Sequence, residues 1–144
     1  MKKLFVSAAL LCLMGLTASA KSKQPITFEA LPQIVQEEIQ KNFQQTQIQF
    51  ITSEKVLGHH AYSFAIDNGT QITYNEKAGL LEVSNKQGVD SVFIPEKIFD
   101  YIKRTFPNGT ITEYKYESMK QEVELNNKLD LIFDKRGSFL RIDD

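Results

Sequence analysis

The sequence has almost none of the cysteines that cross-link small domains, and after its first twenty residues it has no apolar run long enough to span a membrane. Its 144 residues include one cysteine, Cys12, and no tryptophan. Cys12 lies in a leader-like segment, so the mature chain can form no disulfide and its fold must depend on packing. A lipid anchor on Cys12 is the alternative, but Leu11 is bulky where lipoprotein signals usually carry a small residue. No later segment has the ~20 continuous apolar residues of a membrane span.

The first twenty residues have the three parts of a signal peptide. Lys2 and Lys3 form the basic start, Leu4 to Leu16 is apolar, and Ala18-Ser19-Ala20 offers small residues for cleavage. The apolar part is too short to span a bilayer. We therefore predict a signal peptide at 1–20, cleavage near Ala20, and a periplasmic or secreted mature chain with no membrane span.

The charge of the mature chain argues against a nucleic-acid partner. Loss of Lys2 and Lys3 leaves 15 basic residues against 18 acidic ones, a net charge of about −3 with both histidines neutral. Such a chain repels a polyanion more than it attracts one. The 124 residues that remain after cleavage are enough for one hydrophobic core. We therefore expect one compact domain that binds no nucleic acid.

One apolar pattern occurs twice, 63 residues apart. Leu31-Pro32 is followed by Val35, Ile39 and Phe43, and Ile94-Pro95 is followed by Ile98, Ile102 and Phe106. The spacing is that of an amphipathic helix, and proline suits the first helical turn because its missing N–H would have no partner there. The pattern predicts helices over 32–43 and 95–106, each with one buried face, and it places Ile34 beside the first apolar stripe.

Short segments of alternating apolar residues follow each helix and predict strands. The first set covers 47–54, 61–67, 70–75 and 80–83, and the second covers 112–117, 122–125, 129–133 and 139–142. Asp67-Asn68-Gly69 is the strongest hairpin signal, since these residues tolerate positive φ. Apolar positions of the two sets correspond, Phe64 to Val123, Ile72 to Leu131 and Tyr74 to Phe133, and Gly79 is aligned with Gly137.

These elements predict an α+β fold of two tandem repeats. Each repeat has one helix packed on an antiparallel sheet of three to four strands, with solvent on the other side of the sheet. We place the first repeat at 26–84 and the second at 90–144, within one compact domain. Residues 21–25 are expected to be a flexible N-terminus.

The repeated L/I-P-x-x-V/I-x-x-x-I-x-x-x-F helix, the aromatic strand before Asp67-Asn68-Gly69 and the turn Ala78-Gly79-Leu80 resemble the PepSY-like, beta-lactamase-inhibitor-like proteins exported by Gram-negative bacteria. The resemblance covers both repeats. It implies two tandem helix-plus-sheet units related to protease-propeptide PepSY domains and to beta-lactamase inhibitory protein. The mature chain lacks the cysteines with which the latter is braced, and Asn127-Lys128 replaces Asn68-Gly69, so no inhibitory contact residue is carried over.

The predicted outward faces of the two sheets differ in chemistry. The first has small neutral residues, among them Ala61, Ser63, Ala65, Gln71 and Thr73, and the second has Glu122, Glu124 and Asp130. A flat, accessible surface that is neutral at one end and acidic at the other suits a protein partner. The alternative interpretation is an ordinary sheet face that is exposed to solvent and binds nothing.

Two tyrosines are second-choice contact residues. Tyr114 and Tyr116 alternate along one predicted strand, so they share a face, and tyrosine is a good interface anchor. Packing beside the second helix is the alternative interpretation.

Residues with catalytic or metal-binding chemistry form no recognisable site. The only histidines, His59 and His60, are adjacent and would point to opposite faces of an extended chain, so they cannot easily ligate one metal. No nucleophile motif or phosphate-binding glycine loop is present. We therefore predict no enzyme activity, no cofactor and no metal.

The sequence predicts an exported, non-enzymatic binding module. Its partner would be a protein or peptide, bound on the open sheet face, and the module would inhibit or regulate a partner enzyme. A carrier of a small ligand between helix and sheet, or an unrecognised hydrolase, is the alternative, favoured by an apolar cavity or by convergent polar groups in a cleft. Asp90-Ser91-Val92 also resembles an O-glycosylation acceptor of some Gram-negative bacteria, which makes Ser91 a hypothetical modification site.

Overall fold

The computed structural model describes residues 23–143, in which nine strands form one antiparallel sheet and each strand pairs with the next along the chain. The predicted signal peptide at 1–20 lies outside the described residues. The elements, in chain order, are β1 Gln24–Pro25, α1 Gln33–Asn42, β2 Ile48–Val56, β3 His59–Ile66, β4 Gln71–Asn75, β5 Leu80–Ser84, α2 Glu96–Thr105, β6 Ile111–Tyr116, β7 Lys120–Leu125, β8 Asp130–Asp134 and β9 Phe139–Asp143. Within that range no helix has the length and apolar character needed to span a membrane.

Both predicted helices are confirmed, each one residue shorter at either end. Pro32 and Pro95 are the N-cap residues, and each helix begins at the next residue. The proline ring fixes φ near a helical value, but the ψ values of 141° and 133° are those of extended backbone. The apolar stripes are buried as predicted. Ile34 is the exception, with 51% of its surface exposed, because it is rotated by about 100° from Val35 and the buried stripe.

The N-terminal segment differs from its prediction. Gln24 and Pro25, expected in a flexible tail, pair with Ser53 and Thr52 of β2, and the N–H of Ile26 donates to a β2 carbonyl at 3.0 Å. Proline fits this position because β1 is an edge strand, where its missing N–H breaks no ladder hydrogen bond. The prediction of a flexible segment up to residue 25 is therefore wrong at its last two residues.

The two predicted sheets are halves of one sheet. Strand β5 of the first repeat pairs with β6 of the second, with Val83 opposite Tyr114. One row of apolar side chains consequently crosses six strands on the face that carries both helices, formed by Phe64, Ile72, Val83, Tyr114, Val123 and Leu131. This row and the buried residues of α1 and α2 form a single core cluster. The repeats therefore share one core.

Equivalent turns close the hairpins of the two repeats. Asn75 and Asp134 each use their Oδ1 atom to accept hydrogen bonds from the backbone N–H groups two and four residues ahead, at 2.8 to 2.9 Å. The left-handed residue of each turn is Ala78, with φ of 61°, and Gly137, with φ of 80°. Gly137 therefore corresponds to Ala78, and the predicted alignment of Gly79 with Gly137 is wrong by one residue. The turns correspond through their hydrogen bonds rather than through the positions of their glycines.

Candidate functional site

The candidate site is the face of the sheet opposite the two helices, which we call the open face. Two rows of side chains cross it from β3 to β9. The central row consists of Ser63, Thr73, Glu82, Lys115, Glu122, Ile132 and Arg141, and the acidic row consists of Ala65, Gln71, Ser84, Glu113, Glu124, Asp130 and Asp143. Because cross-strand neighbours stand side by side, each row is a continuous strip of adjacent side chains.

Seven of the nine predicted contact residues lie in these two rows. They are Ser63, Ala65, Gln71, Thr73, Glu122, Glu124 and Asp130, and the continuous sheet brings them onto one surface. Their location on one face is as predicted, while their role in partner binding stays a prediction.

The two tyrosines lie on the other face. Tyr114 is 4% exposed in the core, and its hydroxyl donates to Gln121 Oε1 at 2.7 Å, so its assignment as a contact residue is wrong. Packing among core side chains, the alternative interpretation, explains its burial. Tyr116 points to the same side as Tyr114 but is 41% exposed at the end of β6. It is accessible, yet it does not belong to the open face.

In the two rows the first half of the open face is neutral apart from Glu82, and it contains one residue that the sequence did not indicate. Ser63 Oγ and Thr73 Oγ1 are hydrogen-bonded at 2.8 Å. Beside them the register of β2 shifts between Gln49 and Thr52, and Phe50, with φ of 53°, is left 81% exposed. Simple alternation from Ile48 would have placed Phe50 in the core. Bulges redirect side chains in this way, and no residue type in the segment signals one.

The centre of the open face has more carboxylates than bases. Lys115 Nζ lies 2.8 Å from Glu113 Oε1, and this hydrogen bond is the main cause of the raised pKa of Lys115. Glu82 and Glu122 flank the same lysine in the central row. Burial, followed by repulsion from the Glu113 carboxylate, raises the pKa of Glu82. Lys115 therefore lies among three carboxylates, of which Glu122 is also 3.5 Å from Lys120 Nζ.

The acidic row places four carboxylates opposite one another on successive strands, those of Glu113, Glu124, Asp130 and Asp143. Like charges in directly opposed positions destabilise a sheet. Lys128 offsets part of this at 3.2 Å from Glu124, and Arg141 binds Asp143 through two hydrogen bonds of 2.7 and 3.0 Å. Burial, and then the charges of Glu122 and Glu124, raise the pKa of Asp130. Among residues 23–143, Glu82 and Asp130 are members of these rows with no salt bridge.

Ile132 lies on the open face but is only 1% exposed. Its cross-strand neighbours are Glu122 and Arg141, whose long side chains can lay methylene groups over it while their charges stay in water. At this position of the second half, charged side chains therefore flank one buried apolar side chain.

A polar cleft of about 630 Å³ lies where the repeats join. Both repeats line it, with Gln71 and Ser84 from the first and Glu113 and Glu124 from the second. Asn85 is buried at its edge and donates to Thr70 Oγ1 at 2.9 Å. The cleft links the neutral and acidic halves of the open face.

The two histidines lie on opposite sides of one strand. His59 and His60 begin β3 and point to opposite sides of the strand, as predicted: His59 Nδ1 lies 3.4 Å from Glu76 Oε1, while the His60 ring stacks on Tyr62. The described part of the chain holds no group of three or more His, Cys, Asp or Glu side chains arranged to bind a metal ion. Ser91 is exposed at the start of a short 3-10 helix, and its modification stays a prediction.

Comparison with known proteins agrees with this architecture. A family model described as "Putative beta-lactamase-inhibitor-like, PepSY-like" matches residues 18–82 and again 81–141. No curated protein is similar enough to the chain to count as a match.

Solved structures similar to the chain include three from Bacteroides species. One, described as a "putative periplasmic protein of unknown function" from Bacteroides vulgatus, is 30% identical, with a TM-score of 0.73 over 82% of this chain and 95% of that one. Two share the fold at 24% identity: a protein from Bacteroides thetaiotaomicron described as "putative calcium-regulated periplasmic", with a TM-score of 0.74 over 85% and 97% of the two chains, and a second B. vulgatus periplasmic protein, with 0.75 over 87% and 99%.

The duplicated match and the duplicated fold confirm the resemblance that the helix and turn motifs suggested. The chain belongs to the PepSY-like, beta-lactamase-inhibitor-like family.

Proposed function

We propose that the chain is an exported binding module that holds a protein or peptide partner on its open face and thereby inhibits or regulates a partner enzyme. The observation that carries the proposal is the acidic row. Four carboxylates stand opposite one another on successive strands, and hydrogen bonding of the strands does not require them. Lys115, Lys128 and Arg141 pair with Glu113, Glu124 and Asp143, while Asp130 has no salt bridge within residues 23–143 and a raised pKa, caused by burial and then by neighbouring carboxylates. A surface that gathers charges of this kind, while the helix-facing side is evenly apolar, is better explained by binding than by folding.

Export is supported by two independent features. The first twenty residues have the pattern of a cleavable signal, and the three solved structures are described as periplasmic proteins. Cleavage near Ala20 would leave β1 at the start of the mature chain, where it closes one edge of the sheet.

The alternative functions have less support. The space between helices and sheet, where a carried ligand would lie, is filled by core side chains such as Val35, Ile39 and Ile72 with no exposed surface. For a hydrolase, the cleft where the repeats join does bring polar groups together, but its Glu113 and Glu124 are paired with Lys115 and Lys128, and no histidine or cysteine of the described chain lines it. One relative is described as calcium-regulated. Residues 23–143 of this chain hold no group of three or more His, Cys, Asp or Glu side chains arranged to bind a metal ion.

Affinity capture from the native envelope fraction tests the proposal. A variant with Ser63→Arg and Ala65→Arg adds bulk and charge to the first half of the open face. A matched control, Gln33→Arg with Gln40→Arg, adds the same residues to exposed positions of α1 on the other side of the sheet. The open-face variant is expected to lose a partner that the natural chain and the control both retain, and the recovered enzyme is then assayed with and without the chain. Equal recovery by all three forms would refute binding through the open face.

A further inference from the structure

Phe50 is held on the open face by the backbone. The bulge in β2 lets Ile48 and Ile51 both reach the core side, and it turns the intervening Phe50 outward with a left-handed φ of 53°. Left-handed backbone is unfavourable for a residue with a Cβ, and an exposed aromatic ring recovers little of that cost by burial. A ring held in this way is well placed to contact a partner.

Phe50 forms one wall of a cleft of about 240 Å³ on the open face. Ser63 and Thr73 line its floor, and Glu82 lines it further across the sheet. The cleft thus combines an aromatic ring, two hydroxyl groups and a carboxylate, in a volume that suits a single long side chain.

The charge around the cleft favours a cationic occupant. The central and acidic rows contain six carboxylates and two bases, Lys115 and Arg141, and Lys120 and Lys128 beside the rows pair with Glu122 and Glu124, so that, among the described residues, Glu82 and Asp130 are left without a salt bridge. Lys115 and Arg141 are already bound, to Glu113 and Asp143 respectively, so neither neutralises Glu82 by direct contact. Among basic groups, guanidinium is planar, stacks on aromatic rings and forms two parallel hydrogen bonds with a carboxylate.

We propose that this cleft receives an arginine side chain of the protein partner, with the guanidinium stacked on the Phe50 ring and hydrogen-bonded to the Glu82 carboxylate. The proposal rests on the proposed function, because it names the group by which a partner on the open face is recognised.

Lys23 occupies part of the same cleft in the free chain. It lines the cleft with Phe50, and its positive charge acts on Glu82. The lysine is therefore the resident cation that an incoming arginine has to displace. Removal of Lys23 should strengthen binding, which is the opposite of what removal of an ordinary contact residue does.

A library of linear peptides displayed on phage, selected on the purified chain, provides the probes. We expect selected peptides to contain arginine, and replacement of that arginine by the neutral isostere citrulline to weaken binding by about 10-fold in calorimetry. In the F50A and E82Q variants the arginine peptide should bind about 10-fold more weakly, and the citrulline change should have no further effect. In K23A the arginine peptide should bind at least about 2-fold more tightly.

Glu37→Gln on α1 is the matched control, because it removes a carboxylate from the other side of the molecule and should leave every affinity unchanged. Thermal unfolding confirms that each variant is folded. Selected peptides without arginine, an ineffective citrulline change, unchanged binding to F50A, or no selected peptide at all would each overturn the proposal. If these tests fail while Ser63→Arg with Ala65→Arg still abolishes partner capture, only the arginine cleft is refuted and the proposed function stands.

Discussion

The two halves of the sheet are alike on one face and different on the other. On the helix-facing side, equivalent positions of the repeats are apolar in both, as in Ile72 and Leu131 or Tyr74 and Phe133. On the open face they differ in charge: Ser63 corresponds to Glu122, Ala65 to Glu124, Gln71 to Asp130 and Ser84 to Asp143, while the acidic Glu82 of the first half corresponds to the basic Arg141. Close packing restricts the first set and leaves the second free to change. The difference therefore identifies the surface on which the halves have specialised.

The largest expected effect tests whether the halves share one core. Ile39→Ala in α1 and Ile102→Ala in α2 each remove a fully buried side chain, which should lower the free energy of unfolding by about 2–5 kcal/mol. Since the core cluster spans both repeats, each variant should still unfold in one transition. Urea unfolding followed by circular dichroism and by tyrosine fluorescence measures this. Two separate transitions would show that the repeats fold independently.

A second prediction concerns one buried tyrosine in each half. Burial raises the pKa of Tyr74 and of Tyr114 to about 12, from a usual value near 10. The raised value means that the folded state favours the neutral phenol. This stabilisation is complete below pH ~10 and is lost as the pH rises through about 12.

Ultraviolet titration of the natural chain, Tyr74→Phe and Tyr114→Phe measures these two ionisations. Tyr114→Phe should also lower the free energy of unfolding at neutral pH by about 1–3 kcal/mol, because Gln121 Oε1 loses its donor. If only one of the two phenols titrates near the usual value of a tyrosine, the two halves are not packed alike on the helix-facing side, and if both do, neither tyrosine is buried as described.

The smallest expected effect concerns the open face. Asp130→Asn removes a carboxylate whose pKa is raised by burial and by its acidic neighbours, so the free energy of unfolding at neutral pH should rise, by no more than about 1 kcal/mol. Because the pKa is raised in the folded state, the natural chain should gain stability as the pH falls through that pKa, and the variant should not. Gln71→Asn at the equivalent position of the first half should change stability by less than about 0.5 kcal/mol.

Chemical denaturation at low and high salt tests this last prediction. The gain from Asp130→Asn should shrink as salt screens the neighbouring charges. A loss of stability in Asp130→Asn would mean that the carboxylate is a structural group rather than a tolerated excess of charge.

The helices, the strands and the faces of most strands followed from the sequence because their periodicity is repeated in two copies. Three features did not follow. Strand β1 has only two residues, too few for any periodic pattern. Strands β5 and β6 are far apart in the sequence, and the alternation of apolar residues shows which face of each strand is buried but not which strand it pairs with. Phe50 is turned outward by a bulge, which adds one residue to β2 and reverses the phase of alternation from Ile51 onward.

The β5–β6 pairing also constrains how such a protein can evolve. Loss of either repeat would leave a long strand with unpaired backbone groups in the middle of what is now a continuous ladder, and such strands promote aggregation. An ancestor with one repeat would have had to protect that edge, for example by pairing with another copy of itself. Once the duplicated halves were joined in one chain, deletion of one of them became costly, and its outer surface was free to acquire a different charge.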